Sequence, residues 1–288
     1  MALQRYPGNS FFVPAAHYTD ASRTPRAIRR IVLHSMEMEE GPTTALKCLN
    51  YFHSTTKSAS SHFCTDNQHV GQGVGLEDVA WAAPGCNSDG VQIEQAGFAA
   101  QTAAEWKDAF GLGLLQTTGG LVAWLCTYLS IPPVYIDRGG LLAGKSGITT
   151  HVQVSLAYRR SDHTDPGKYY PMGDLLAIVR AKMGSGAGQV VPSEPERWDP
   201  ITVGGITFCT KFAKWLPLAR GQKFWAETVA LQHALNGYIT PTGLPRLVVD
   251  GDFGGKTETF LRAWQRWIGL PQTGVASAVD AKRLGLTN

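Results

Sequence analysis

Two histidines and one short segment hold the side chains that are best suited to chemistry. His34 ends an apolar run, and His151 precedes the segment 161–167, which reads Ser-Asp-His-Thr-Asp-Pro-Gly. Proline pushes the residue before it into an extended conformation, where alternate side chains share a face, so His163 and Asp165 are expected to point into one site. Two histidines, a carboxylate and one open position form a catalytic zinc arrangement. On spacing alone, structural histidines remain the favoured interpretation, because no local motif fixes two ligands together.

The elements around these residues predict an α/β domain with a central mixed β-sheet flanked by helices. Apolar runs and period-two alternation predict strands over 27–34, which ends at His34, over 61–66 and over 91–94. Helical patterns cover 43–53 and, interrupted by glycines, 103–129.

A glycine-rich stretch at 184–188 and prolines at 192, 195 and 200 predict a linker. We therefore expect a catalytic domain over 1–183, a linker over 184–200 and a smaller module over 201–288. The module is predicted to be all-α with three helices, over 225–235, 257–267 and 279–284, with a turn-rich loop at 250–254.

Composition excludes several classes of protein. Hydrophobic residues make up 43% and charged residues 17% of the 288 residues, which excludes wholesale disorder. The net charge of +3 is too small to indicate a nucleic-acid binder. Residues 201–288 carry 10 Lys and Arg against 5 Asp and Glu, which fits either an anionic polymer partner or a solvated basic face. The five cysteines form no CxxC pair, which argues against a thiolate zinc cluster or a dense disulfide framework.

The N-terminal residues lack the apolar core of a signal peptide, and no run is expected to reach the length of a membrane span. We therefore expect a protein that is made without a signal peptide and has no integral membrane segment.

Five motifs occur in the order found in zinc-dependent N-acetylmuramoyl-L-alanine amidases, and the first domain resembles this family, the type 2 amidases and peptidoglycan-recognition proteins. The motifs are Ile31–His34, Ser60–Phe63, Ala80-Trp81, Val91–Glu94, and His151 followed by Asp165-Pro166-Gly167. The resemblance covers about 17–183. The Ser-Asp-His-x-Asp-Pro-Gly form is most similar to endolysins of phages that infect actinobacteria.

The resemblance implies a role for each matched residue. His34 and His151 match the two zinc-binding histidines, and Asp165 matches the third ligand. Glu94 matches the catalytic glutamate, and His163 stands where many relatives carry a lysine. A protonated His163 would stabilise the oxyanion, or its imidazole would compete with Asp165 for Zn²⁺.

The resemblance also places candidate substrate-binding residues near the cleft. Trp81 and Asn87 are expected to line the groove, although ordinary packing is an equally open interpretation for Trp81. His62 is expected close to the cleft as well. Relatives that use a catalytic tyrosine carry it at the position of Ser61, which leaves Glu94 as the better general base.

The C-terminal module resembles a three-helix peptidoglycan-binding domain through 231–235, 250–254 and 260–267. The leading hypothesis is a monomeric phage endolysin, held in the host cytoplasm until lysis, that cleaves the amide between N-acetylmuramic acid and L-alanine. The alternatives are a non-catalytic peptidoglycan-recognition protein, a bacterial autolysin with the same chemistry, and a hydrolase that cuts the glycan or a stem-peptide bond. No carboxylate pair supports a glycosidase.

Overall fold

The computed structural model describes residues 6–184, 200–203, 206–209, 219–220, 225–249, 251–284 and 286. The chain divides into two compact units, 1–9 with 13–191 and 10–12 with 192–288. The division after residue 191 falls within the predicted linker, of which residues 185–199 lie outside the described part. The domain boundaries at 183 and 201 stay predictions.

The described residues form eight strands and nine α-helices. The strands are β1 (Phe11–Phe12), β2 (Arg30–Ser35), β3 (Phe63–Thr65), β4 (Val70–Gln72), β5 (Gly90–Gln95), β6 (Gly147–Thr150), β7 (Pro200–Val203) and β8 (Ile206–Cys209). The helices are α1 (Thr44–Ser54), α2 (Ala109–Leu129), α3 (Arg138–Leu142), α4 (His151–Tyr158), α5 (Met172–Gly184), α6 (Trp225–Asn236), α7 (Ile239–Thr242), α8 (Gly255–Trp267) and α9 (Ala278–Arg283).

The first unit is built on a mixed sheet with the strand order β6-β2-β5-β3-β4. Strand β2 pairs in parallel with both β5 and β6, β3 pairs in parallel with β5, and β4 runs antiparallel to β3. Parallel strands that are covered on both faces read as continuous apolar runs, and every residue of β2 is buried. The predicted α/β fold with a central mixed sheet is confirmed.

The long helix α2 packs against the sheet and against α5. It begins at Ala109 rather than at 103, because the Asp108 side chain accepts a hydrogen bond from the Gly111 amide and caps the helix there. The predicted interruption by glycines does not occur. At Gly119 the helix approaches α5 so closely that an added Cβ would lie 2.5 Å from Ile178 Cγ2.

The expectation that no run reaches membrane length is wrong for α2. By length and composition alone, this 21-residue helix is apolar enough to cross a membrane. However, 61% of its most apolar window is buried inside the protein, as in the core helix of a globular domain.

The core of the first unit also encloses cysteine side chains. Cys48, Cys64, Cys86 and Cys126 are all buried free thiols.

The second unit contains the three predicted helices, observed as α6, α8 and α9, and the predicted helical module is confirmed. Two buried glutamines hold its loops in the same way. Gln232 Oε1 accepts from the Gly251 amide at 2.9 Å, and Gln265 Oε1 accepts from the Gly274 amide at 3.0 Å. The structure adds the short helix α7 and the antiparallel strands β7 and β8, which pair with each other and, through β8, with β1.

Candidate active site

The candidate catalytic side chains lie at the carboxyl ends of three adjacent parallel strands. His34 is near the end of β2, and its register partner on β5 is Glu94. His151 follows β6 directly, as the first residue of α4. In open α/β sheets ligands bind at this edge, so the topology brings together residues that are far apart in the sequence.

Asp165 lies at the same edge of the sheet, on a turn that contacts both the start of α4 and the segment around Ala99. Its carbonyl accepts a hydrogen bond from the Val152 amide at 3.0 Å, which ties the turn to the first residues of α4. Gly167, two residues later, has φ +93°, and a Cβ there would lie 1.9 Å from the Ala99 carbonyl oxygen. Only glycine fits this position.

The three predicted metal ligands converge on one point. The Nδ1 atoms of His34 and His151 each lie 3.1 Å from a different oxygen of the Asp165 carboxylate. One donor atom from each residue lies within 4.8 Å of the others, and all three residues are buried. This set of two imidazoles and one carboxylate is able to hold a metal ion.

Both histidines have a hydrogen-bond partner behind the ring. His34 Nε2 lies 2.9 Å from Gln92 Oε1, and His151 Nε2 lies 3.3 Å from Ser161 Oγ. Such contacts hold a ring in place and decide which nitrogen faces the site.

Glu94 lies beside the cluster, with Oε1 at 4.0 Å from His34 Nδ1. Its other oxygen, Oε2, is buried and has no hydrogen-bond partner among the described residues. Burial, reinforced by the charges of Asp165 and Glu37, raises the pKa of Glu94 to about 7. A carboxylate with a pKa near neutrality is suited to taking up and releasing a proton.

The charges of the cluster favour a cation between the ligands. Burial opposes a charge on His34, yet the carboxylates of Glu94 and Asp165 raise its pKa to about 9. Burial also opposes ionisation of Asp165, but hydrogen bonds from His151 and His34 hold its pKa well below the usual range. The site therefore stabilises a positive charge next to an ionised carboxylate.

His163 lies at the rim, where the sequence placed it beside Asp165. Its Nδ1 is 3.4 Å from Asp165 Oδ1, its ring stacks on His151 with centroids 4.3 Å apart, and its side chain is 61% exposed. A side chain in this position is able to reach a bound substrate.

These residues open into a cleft of about 980 Å³. The predicted groove residues Trp81 and Asn87 both line it. Trp81 donates from Nε1 to Thr19 Oγ1 at 2.8 Å and stacks on His17, so part of its ring is used in packing. Asn87 Oδ1 accepts from the Ala82 and Ala83 amides and shapes the loop at the edge of the cleft.

The predicted substrate contact of His62 requires a correction. This residue is fully buried and is not part of the cleft lining. Its Nδ1 accepts a hydrogen bond from the Gln92 amide at 3.0 Å, and Nε2 faces Arg23 and the Asp78 carbonyl. Burial, reinforced by the charge of Arg23, lowers the pKa of His62 to about 3. It is a neutral internal residue behind the site.

Sequence reasoning missed several residues that line the cleft, among them Tyr51 on α1 and Glu37. It also missed Gln92, which contacts His34 but does not line the cleft. Glu37 has φ 52°, an uncommon conformation for a residue with a side chain. The period of β5 does place Gln92 on the same face as Glu94, and this was the available signal.

A family model described as N-acetylmuramoyl-L-alanine amidase matches residues 24–168, half of the chain. The chain belongs to the N-acetylmuramoyl-L-alanine amidase family. In the second unit of this amidase, a model described as a putative peptidoglycan binding domain matches residues 226–279. Cell-wall peptidoglycan is therefore supported as the partner of the amidase. No curated protein matches it.

Three of the solved structures that are similar to this chain illustrate the degree of likeness. The hydrolase AmiA of Staphylococcus aureus is 16% identical, with 59% of this chain and 80% of that chain covered and a TM-score of 0.46. An AmpD derivative is 20% identical, with 62% and 99% covered and a TM-score of 0.42. The amidase LysC from Clostridium intestinale is 16% identical, with 59% and 97% covered and a TM-score of 0.39. At these scores the likenesses add no argument to the family match.

Proposed function

We propose that this chain is a zinc-dependent N-acetylmuramoyl-L-alanine amidase that hydrolyses the bond between the lactyl group of N-acetylmuramic acid and L-alanine of the stem peptide. The observation that carries the proposal is the buried cluster of His34, His151 and Asp165, with Glu94 beside it in an open cleft. A protein that only recognises peptidoglycan has no chemical need for all four residues.

The donor set fits zinc. Two imidazoles and one carboxylate leave a position open, as catalytic zinc sites do. His34, His151 and Asp165 would hold the ion, and its charge would satisfy the preference of the cluster for a cation. A bound zinc ion supplies Lewis acidity, which polarises a carbonyl and acidifies water.

The residues of the chain supply the proton transfers. Glu94 takes a proton from the attacking water as the new C–O bond forms, and gives it to the amine nitrogen as the C–N bond breaks. His163 at the rim donates a hydrogen bond to the oxygen that gains negative charge. The products are a lactyl carboxylate on muramic acid and a free amino group on L-alanine.

We further propose that the enzyme is a monomeric phage endolysin that stays in the host cytoplasm until lysis and then acts on the cell wall. The Ser-Asp-His-x-Asp-Pro-Gly form of residues 161–167 supports this setting through its similarity to actinobacteriophage endolysins. The second unit concentrates the catalytic unit on its substrate by raising the effective concentration.

Product analysis on purified actinobacterial peptidoglycan, with and without a zinc chelator, tests the reaction. We expect new L-alanine amino termini in the untreated sample, their loss with chelator and their return when zinc is added. Wall binding without alanine termini would instead support a recognition protein. New reducing sugar ends, or activity that persists without metal, would contradict the proposed reaction.

A further inference from the structure

Gln92 lies behind the candidate metal ligand His34, away from the cleft. It is fully buried on β5, and its side-chain amide bridges two groups. Gln92 Oε1 lies 2.9 Å from His34 Nε2, and Gln92 Nε2 lies 3.1 Å from the Cys86 carbonyl oxygen.

The Cys86 carbonyl fixes the orientation of this amide. A carbonyl oxygen only accepts hydrogen bonds, so the NH₂ group of Gln92 faces Cys86. The amide oxygen then faces His34, and His34 Nε2 carries the proton that it donates. In the neutral ring this leaves the lone pair on Nδ1, which is the atom that faces Asp165.

Gln92 is itself held in place by its main chain. Its amide donates to His62 Nδ1 at 3.0 Å, and its carbonyl accepts from Ser61 Oγ at 2.9 Å. His62 lies against Arg23 and the Asp78 carbonyl. The buried His62 and Ser61 thus support the residue that supports His34.

We propose that Gln92 is the positioning residue of the zinc site, which selects the His34 tautomer with Nδ1 free to bind the metal. The inference rests on the proposed zinc-dependent function. A ligating histidine is usually held through its other ring nitrogen by a hydrogen-bond partner. Removing such a partner typically weakens metal binding by about 10- to 100-fold. Gln92 does not line the cleft and is not among the three converging ligands, so it acts through His34.

Three variants of the full chain separate positioning from packing. Gln92→Leu removes both the acceptor for His34 and the donor to Cys86, whereas Gln92→Glu keeps an acceptor for His34 and replaces the donor with a second carboxyl oxygen. Gln72→Leu is the matched control, because Gln72 is also buried in the sheet and also makes two side-chain hydrogen bonds, to Asn9 and Val74.

The primary readout is the Zn²⁺ dissociation constant, measured by competition with a chromophoric chelator. We expect about 10- to 100-fold weaker binding for Gln92→Leu, a value close to wild type for Gln92→Glu, and no change for Gln72→Leu. Equal affinities of wild type and folded Gln92→Leu would overturn the inference and leave the amidase proposal intact. A wild type that binds no zinc would instead overturn the proposed metal dependence, and with it this inference.

A second readout needs no variant. In the zinc-loaded wild type, ¹⁵N NMR of the imidazoles should show His34 protonated at Nε2 and metal-bound at Nδ1. Metal coordination through Nε2 would overturn the role of Gln92 even if Gln92→Leu failed to fold.

Discussion

At the scale of single residues, Glu94 is the group on which turnover depends most directly. Glu94→Gln keeps the shape of the side chain but cannot accept a proton. We expect kcat to fall by about 10²- to 10⁴-fold, the usual contribution of general acid–base catalysis. Zinc content should remain at one ion per chain, because Glu94 is not among the three converging ligands. Release of alanine amino termini at the wild-type rate, with zinc bound, would remove Glu94 from its assigned role.

His163 allows the two interpretations of the rim to be separated. His163→Ala should lower kcat by roughly 10²- to 10³-fold, as loss of one oxyanion donor does, and should leave zinc content and folding unchanged because the side chain is exposed. Asp165→Asn should instead weaken zinc binding. If His163→Ala loses the metal and Asp165→Asn keeps it, His163 is the third ligand.

The sequence indicated which residues face the candidate site more readily than it indicated which residues lie behind them. His163 and Asp165 are two apart in an extended segment, and this geometry alone places them together, as the structure does. His62 was expected close to the cleft, but it is fully buried and does not line the cleft. Whether a histidine points outward or inward depends on contacts with distant residues such as Arg23, which the local pattern does not contain.

Among the helices and strands, α2 contains two neighbouring glycines whose replacement by alanine should change the stability of the protein in opposite directions. A Cβ at Gly119 would lie 2.5 Å from Ile178 on α5, whereas a Cβ at Gly120 would meet nothing closer than 3.4 Å. Gly119→Ala should therefore destabilise the protein by about 1–3 kcal/mol through overpacking. Gly120→Ala should stabilise it by up to about 1 kcal/mol through helix propensity.

Urea denaturation of the two variants and wild type checks this pair. The activity of folded Gly120→Ala should remain that of wild type. A destabilised Gly120→Ala, or a Gly119→Ala as stable as wild type, would show that the packing of α2 on α5 is not as described.

Among the elements, strands β2, β3 and β5 and the helices α1, α6, α8 and α9 were predictable, whereas strands β4 and β6 were not. Each end of strand β5 and of helix α1 lies within one residue of its predicted position, because both segments have a strong apolar pattern. Strand β4 was missed, since its three residues Val70–Gln72 are too few to show a period. Strand β2 starts at Arg30 rather than 27 because Pro25 begins a 3₁₀ turn.

At the scale of the whole molecule, acid affects the second unit through His233. Burial, reinforced by the charge of Arg246, lowers the pKa of His233 to about 4. The unfolded chain, with an ordinary histidine pKa of about 6.5, binds this proton first as the pH falls. The stability contribution is therefore present above about pH 6.5 and is lost progressively towards pH 4.

Thermal unfolding of wild type and His233→Gln at pH 7 and pH 5 measures this contribution. Wild type should lose more stability than the variant on acidification, because the other titrating groups, including Glu227, are common to both proteins. Equal losses in the two proteins would show that His233 titrates alike in the folded and unfolded states.

The buried cysteines of the first unit allow transient opening of this unit to be measured through the reactivity of their thiols. Cys48, Cys64, Cys86 and Cys126 are free but buried, and burial raises the pKa of Cys86 to about 11 and of Cys126 to about 12. Only thiolates react readily with alkylating reagents. Cys48 lines the cleft, but Cys64, Cys86 and Cys126 do not. Once Cys48 and Cys209 are replaced by serine, the rate of alkylation of the other three thiols therefore reports how often the catalytic unit opens.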